Sequence, residues 1–255
     1  MSDVILSTQG VSKSFGKFVA LKDVSVSFER GKLAAIIGPN GAGKSTYFNV
    51  LSGAFPPSAG RLSYEGSDIT GLAQHEFARI GIAKSFQITN VFPKLSAFEN
   101  VRVAVQARHV RFGLWRPRHA YDAVNERARE LLALVGLAHH AERRAQDMAH
   151  GEQRALEMGM ALAAEPKLLL LDEPTAGMSP EETRTMMDLI QRLAQDRTVI
   201  LVEHKMKLVM GICERIVVLH HGELLADGTP AEVQNNAEVK RVYLGQGKGG
   251  ANAAA

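Results

Sequence analysis

The sequence predicts an α/β fold built on a mainly parallel sheet, and three stretches carry that prediction. KLAAIIG is a short apolar run that ends in a glycine-rich turn and leads into a helix starting near Lys44. LLLLDEPTAGMSPEE sets four leucines before a second turn and a second helix. TVILVEH is a third apolar run. Short buried strands separated by helices are the pattern of a parallel sheet covered on both faces.

Each element has a local reason. The first segment alternates in β fashion, with Ile5 and Leu6 and then Val24, Val26 and Phe28 along Val19 to Phe28, and Gly31 punctuates it. The helix after LLLLDEPTAGM opens at Ser179, with Pro180 first and Glu182 three residues after the serine. In YDAVNERARELLALVG, Ala128, Leu131, Leu132 and Val135 share one helical face and Gly136 is the stop. GEQRALEMGMALAAEP reads as another helix, ended by Pro166. These two place a mainly helical annex at about residues 94–163, inserted into a single domain over 4–245. VVLHHGELLADG reads as a hairpin with His221-Gly222 at its turn. The tail at 246–255, GKGGANAAA at its end, is expected to be disordered.

Composition bounds the function classes. The chain has 255 residues, 45% hydrophobic and 22% charged, which is ordinary for a globular protein. A single cysteine, Cys213, excludes a disulfide framework and reads as a small buried hydrophobe. The N-terminus MSDVILSTQG does not read as a signal peptide, and Leu168–Leu171 is too short to cross a bilayer. Any work at a membrane is therefore done from its side. A net charge of +3 is mild and argues against a nucleic-acid partner. Arg108, Arg111, Arg116 and Arg118 concentrate positive charge, as a solvated face or one lying near anionic headgroups. His139-His140 and His220-His221 lack the acids or thiols of a metal site and read as a helix end and a turn.

The strongest signal is GPNGAGKST, residues Gly38, Pro39, Asn40, Gly41, Ala42, Gly43, Lys44, Ser45 and Thr46. Its glycines let backbone N–H groups turn inward onto phosphate oxygens, and the helix that follows presents its positive end. Lys44 reaches β- and γ-phosphates, and Ser45 offers a hydroxyl to magnesium. Such a loop needs an acid at the end of a neighbouring strand, which Asp172 supplies. Glu173 beside it can orient and polarise an attacking water.

GPNGAGKST, LLLLDEPT, Gln87 in SFQ and His204 in ILVEH occur in the order and spacing of an ATP-binding-cassette ATPase, and the chain resembles that family over about residues 4–245. The resemblance implies a P-loop NTPase core with a mainly parallel sheet, an antiparallel β subdomain and an inserted helical subdomain. It implies ATP and Mg2+ as ligands. Phe15 in KSFGKF would stack on adenine. Gln87 would touch magnesium and the attacking water, and His204 the γ-phosphate. Glu173, His204 and Gln87 are thus the expected catalytic set, and Ser45, Gln87 and Asp172 the expected metal set.

Such cassettes work as head-to-tail pairs, each ATP lying between the P-loop of one chain and a signature turn of the other. DMAHGEQ occupies the signature position through Met148, Ala149, His150, Gly151 and Glu152. Ala149 removes the hydroxyl usual there, a bond worth about 1.5–3 kcal/mol to a charged group. Ser179 stands where many members have aspartate, and serves instead as a helix cap.

SFQITNVFPKLSAFENV, EQRALEMGMALAAEPKLLLLDEPTAGMSP and ADGTPAEVQNNAEVKRVYLG resemble importer ATPases of the branched-chain amino acid type, with lipopolysaccharide-export and urea-type ATPases close behind. The resemblance implies a second ATPase subunit, transmembrane permease subunits, a periplasmic substrate-binding protein acting indirectly, and a place on the cytoplasmic face of the inner membrane. Ile88, Val91 and Phe92 are candidates for the groove that docks the permease. A soluble regulatory or nucleic-acid ATPase is the competing reading. A P-loop kinase gives no reason for the set of Gln87, signature turn and His204.

Overall fold

The computed structural model describes residues 3–84, 91–109 and 119–245. Two sheets organise them. Strands β1 (Val4–Phe15), β2 (Phe18–Glu29), β4 (Ala59–Tyr64) and β5 (Ser67–Asp68) form an antiparallel sheet in the order β2-β1-β4-β5. The second sheet has six strands in the order β10-β9-β3-β8-β7-β6. These are β3 (Leu33–Ile37), β6 (Ile82–Lys84), β7 (Leu168–Asp172), β8 (Thr198–Val202), β9 (Arg215–His220) and β10 (Glu223–Gly228). All its pairs are parallel except β9–β10. The α/β architecture with a mainly parallel sheet and an antiparallel companion is thus as the sequence predicts.

The apolar runs fill both faces of the six-stranded sheet. Ala34 and Ile36 of β3, with Leu168, Leu170, Ile200 and Val202, face a layer holding Phe48 and Leu51 of α1 (Lys44–Leu51) and Ile5, Val24 and Phe28 of the antiparallel sheet. The alternate residues Leu33, Ala35, Leu169, Leu171, Val199 and Leu201 face the helical side. A strand whose two faces are both covered has no position for a polar side chain, so LLLL and TVILV read as unbroken apolar runs. Each such leucine contributes about 1.5–3 kcal/mol by burial.

The helical side holds α3 (Ala97–His109), α4 (His119–Leu134), α5 (His150–Leu162) and α6 (Pro180–Leu193). Ala128, Leu131, Leu132 and Val135 are buried as their spacing predicts, and Gly136 ends α4 with a positive φ of 79°. The predicted end of α5 needs correction. The helix stops at Leu162, four residues before Pro166, and the chain turns through Ala163–Glu165 with Glu165 at φ 47°. Proline bars helix only in its immediate neighbourhood, so the turn rather than Pro166 sets the boundary. At α6 the capping box is complete. Ser179 Oγ accepts from the Glu182 N–H at 3.2 Å, and the Glu182 carboxylate accepts from the Ser179 N–H at 2.9 Å.

The β9–β10 hairpin turns at His221-Gly222, both at positive φ (50° and 80°), the requirement of a tight right-twisting turn. Helices α2 (Gln74–Ile80), α7 (Met206–Ile212), α8 (Pro230–Asn235) and α9 (Ala237–Gly245) complete the α-helices among the described residues, and two 3-10 turns lie at Ala138–His140 and Ala145–Asp147. Among the described residues no helix is long and apolar enough to cross a membrane. Cys213 is buried, and burial pushes its thiol up to about 12. Gln87, Ile88 and the tail at 246–255 lie outside the described residues, as do the side chains of Arg108, Arg111, Arg116 and Arg118.

Candidate active site

The P-loop leaves β3 at Gly38 and enters α1 at Lys44. Its shape depends on bare glycine at two points. A Cβ on Gly38 would lie 2.3 Å from the Leu219 carbonyl oxygen, and one on Gly43 2.8 Å from the Ala20 carbonyl oxygen. Those neighbours are backbone and cannot yield. The hairpin turn closes around the loop, since the Gly222 N–H donates to Ala42 O at 3.0 Å and the Lys22 N–H donates to Gly222 O at 2.8 Å. A cavity of about 190 Å³ opens over the loop, lined by Phe18, Ala20 and residues 41–46. Ser45 and Thr46 both line it.

Lys44 is buried, and its ammonium donates to Gly38 O at 2.8 Å and Pro39 O at 3.0 Å. Burial lowers its pKa, while Glu173 and Asp172 oppose that shift. Asp172 at the end of β7 is buried too. Desolvation raises its pKa, and Lys84 is the largest opposing influence. Lys84 itself donates to Asn49 Oδ1 at 2.7 Å on α1. A desolvated carboxylate facing two lysines and the P-loop is an environment that a divalent cation would complete. Asp172 would offer that cation a carboxylate oxygen, and Ser45, which lines the P-loop cavity, would offer a hydroxyl. The cation would supply charge neutralisation for phosphate oxygens.

Glu173 follows Asp172 with a φ of 45°, a strained conformation for a non-glycine residue and one that gathers at functional sites. Parallel pairing of β7 with β8 sets Asp172 beside Val202. The turns beyond those two strands therefore meet, and Glu173 Oε1 lies 4.0 Å from His204 Nδ1. Both side chains reach solvent, at 29% and 49% exposure. Phosphate-binding loop, buried acid, carboxylate and imidazole thus occupy the same end of the sheet, on β3, β7 and β8. That is the arrangement an ATP-hydrolysing site needs.

The remaining expected residues are placed as follows. Phe15 is 45% exposed, packs edge-on against Phe55 at 5.6 Å, and has the Lys13 ammonium 5.2 Å from its ring centre. It is free to present a face, but Phe18 rather than Phe15 lines the P-loop cavity. Val91 packs against the helical core, whereas Phe92 is 50% exposed. The paired histidines pack ring against ring at 4.1 Å (His139, His140) and 3.9 Å (His220, His221).

The signature turn is built differently. Ala149 is the N-cap of α5 and has no side-chain acceptor to give. Glu152 accepts from the Ala149 N–H at 2.8 Å, so only half a capping box exists. Glu152 is held in turn by His140 at 3.0 Å and Arg143 at 3.3 Å. The Gly151 N–H donates to Glu182 Oε1 at 3.1 Å, and His150 Nε2 lies 3.2 Å from Ala176 O. The Ser179 backbone N–H, the Ser179 hydroxyl and the Gly151 backbone N–H depress the Glu182 pKa. Gln153 braces the turn by donating to Ala145 O and Met148 O. Sequence reading passed over Thr175, Gln153, Lys84 and the reach of Glu182 to Gly151. Only Thr175, inside DEPT, carried a local signal.

The fold and site define a P-loop ATPase. Residues 21–176 match the ABC transporter family, and residues 223–248 match the branched-chain amino acid ATP-binding cassette transporter family. The chain belongs to the ABC transporter family, as its ATP-binding, ATP-hydrolysing subunit. It is 38% identical over 255 residues to the high-affinity branched-chain amino acid transport ATP-binding protein LivG of Salmonella typhimurium, covering 96% of this chain and 100% of the relative. BraF of Pseudomonas aeruginosa, a high-affinity branched-chain amino acid transport ATP-binding protein, is 40% identical with the same coverage. The lipopolysaccharide export ATP-binding protein LptB of Acidithiobacillus ferridurans is 34% identical over 242 residues, covering 94% of this chain and 97% of the relative. The solved ADP conformation of MJ1267, an ATP-binding cassette of an ABC transporter, superposes with a TM-score of 0.82 at 27% identity, covering 95% of this chain and 99% of that one.

Proposed function

We propose that this chain powers import of branched-chain or related amino acids, as a peripheral subunit on the cytoplasmic face of the inner membrane. In this reading residues 4–245 form one cassette with a helical insert at about 94–163. It pairs head-to-tail with a second ATPase subunit and docks on permease subunits that receive cargo from a periplasmic binding protein. The observation that carries the enzymatic part is the meeting of Glu173 and His204 at 4.0 Å beside the P-loop strand. The cargo class is supported by the relatives' names and by the match over the C-terminal segment.

Binding of ATP and Mg2+ falls to Gly38–Thr46, with Ser45 and Asp172 toward the metal. Phe15 stacks on the adenine. Glu173 accepts a proton from the attacking water, and His204 orients the γ-phosphate end. Gln87 belongs to the metal and catalytic sets by resemblance. Ala149, His150, Gly151 and Glu152 complete the partner's site, not the chain's own. Closing the pair around nucleotide draws the helical inserts, and with them the permeases, together.

Tagging the chain in its host and identifying what copurifies from gently solubilised membranes tests the assembly. A second ATPase with two permeases is expected, together with loss of radiolabelled leucine uptake in a Glu173→Gln strain. Copies of this chain alone with an export permease would favour lipopolysaccharide export, the reading to which the 34% identical relative points. Absence of any membrane protein would remove the transport reading.

A further inference from the structure

Glu203 has no role in the machinery described above, yet it is among the most buried charged residues of the chain, with no measurable exposure. It follows TVILV, where one more apolar residue would extend the buried strand. Its carboxylate is fully engaged. One oxygen accepts from Thr175 Oγ1 at 2.5 Å, and the other accepts from the backbone N–H groups of His204 at 3.1 Å and Lys205 at 3.4 Å. Its own N–H donates to Ile36 O at 3.4 Å, on the strand that feeds the P-loop. Lys205 Nζ closes the ring with a 3.5 Å bond to Thr175 O.

The partners matter because of what adjoins them. Thr175 lies two residues after Glu173. His204 follows Glu203 directly, and its Nδ1 is 3.9 Å from Glu203 Oε2 and 4.0 Å from Glu173 Oε1. One buried carboxylate therefore ties together the turn that carries Glu173 and the turn that carries His204. A carboxylate in a dry interior persists only where donors surround it, and such charge-assisted bonds are about twice as strong as neutral ones. The linkage is stiff for that reason. Buried as it is, Glu203 does not itself reach substrate.

We infer that Glu203 is a positioning residue for hydrolysis, holding the His204 imidazole and the Glu173 carboxylate on a common point through Thr175 and the β8 turn. The inference rests on the reading of Glu173 and His204 as the hydrolytic pair. Glutamine at 203 keeps the shape but replaces charge-assisted bonds with weaker neutral ones, its Oε1 accepting from the His204 and Lys205 N–H groups and its NH2 donating to Thr175 Oγ1.

Steady-state ATP hydrolysis, nucleotide binding and thermal unfolding of the full chain, assembled with its partners if it hydrolyses only in complex, test this for Glu203→Gln. The expected result is a fall in kcat of about 10- to 100-fold, with KM for ATP unchanged within about twofold. Thr175→Val removes the same bond from the other side and should lower kcat comparably. The double variant should fall no further than the worse single one, because both break one link. Thr175→Ser should restore activity. A folded E203Q protein with wild-type kcat overturns the inference, as does a rise in KM that tracks a lower Tm. If E203Q does not fold, T175V alone decides by the same criteria. A wild-type assembly that does not hydrolyse ATP refutes the functional reading instead. A crystal structure of the variant then settles positioning, and an unmoved His204 imidazole overturns it.

Discussion

The P-loop and the signature turn both lead into the start of a helix, and they are held by opposite means. At the P-loop the backbone is fixed by backbone: Gly38 and Gly43 sit where carbonyl oxygens of Leu219 and Ala20 leave no space for a Cβ. Its cavity is open, and its lysine rests on the loop's own carbonyls. At the signature turn the backbone donors are satisfied by side chains, Glu152 on the Ala149 N–H and Glu182 on the Gly151 N–H. A carboxylate can rotate away from an N–H, whereas a backbone carbonyl in a sheet cannot. The first region is therefore preorganised in the single chain. The second is capped by groups that, in the proposed head-to-tail pair, must give way before a partner's phosphate can approach.

Three substitutions probe that difference. The largest effect is expected at the rigid end. Gly38→Ala forces a Cβ against the Leu219 carbonyl and should destabilise the fold by about 3–5 kcal/mol, with nucleotide binding lost. Thermal unfolding and fluorescent-nucleotide titration measure both, and near-wild-type binding would show that the loop is softer than its contacts indicate.

Asp172→Asn comes next. Burial raises the pKa of this acid, so between its ordinary value and the raised one the folded chain binds more proton than the unfolded chain. Stability from this group is therefore greatest in acid and is lost as pH rises from the ordinary aspartate value through the raised one. The asparagine variant should have a higher Tm than wild type at pH 7, a difference that shrinks on acidification below the raised pKa. Its Mg2+-dependent hydrolysis should drop by about 100-fold or more. A Tm difference independent of pH would contradict the burial argument.

The smallest effect belongs to the adaptable end. Ala149→Ser restores the missing half of the capping box on α5 and should stabilise by about 0.5–2 kcal/mol in differential scanning calorimetry. If the serine also reaches the partner's phosphate, ATP turnover of the assembled pair should rise, by up to about tenfold. A stability gain without faster turnover would mean that the turn's helix was improved but its ligand was not.

The sequence shows some of this plainly and some not at all. GPNGAGKST is legible because each residue's chemistry is local: a glycine for a turn, a lysine for phosphate, a helix behind. The α6 cap is legible for the same reason, since Ser179 and Glu182 are three residues apart. The approach of Glu173 to His204 depends on the β7–β8 register, which no local pattern fixes, and the family resemblance alone brought the two together. Glu203 was invisible because its partner Thr175 is 28 residues away and it sits between an apolar run and the more conspicuous His204. The end of α5 was misplaced because a proline is easy to see and an unpunctuated turn is not. Glu182's second role, reaching Gly151 across 31 residues, is equally beyond sequence reading.

The clasp of the His221-Gly222 turn on the P-loop has a consequence for biosynthesis. Gly222 bonds to Ala42, and Lys22 to Gly222, so the loop's last support comes from residues translated long after the loop itself. At roughly 5–20 residues per second, the loop waits roughly ten to forty seconds on the ribosome between its own synthesis and its completion. Such long-range closure is slow to form and leaves LLLLD and TVILV without a finished sheet until late. A nascent chain stalled before the hairpin should be unable to retain ATP, and the cell acquires a competent motor only after the His221-Gly222 turn has emerged.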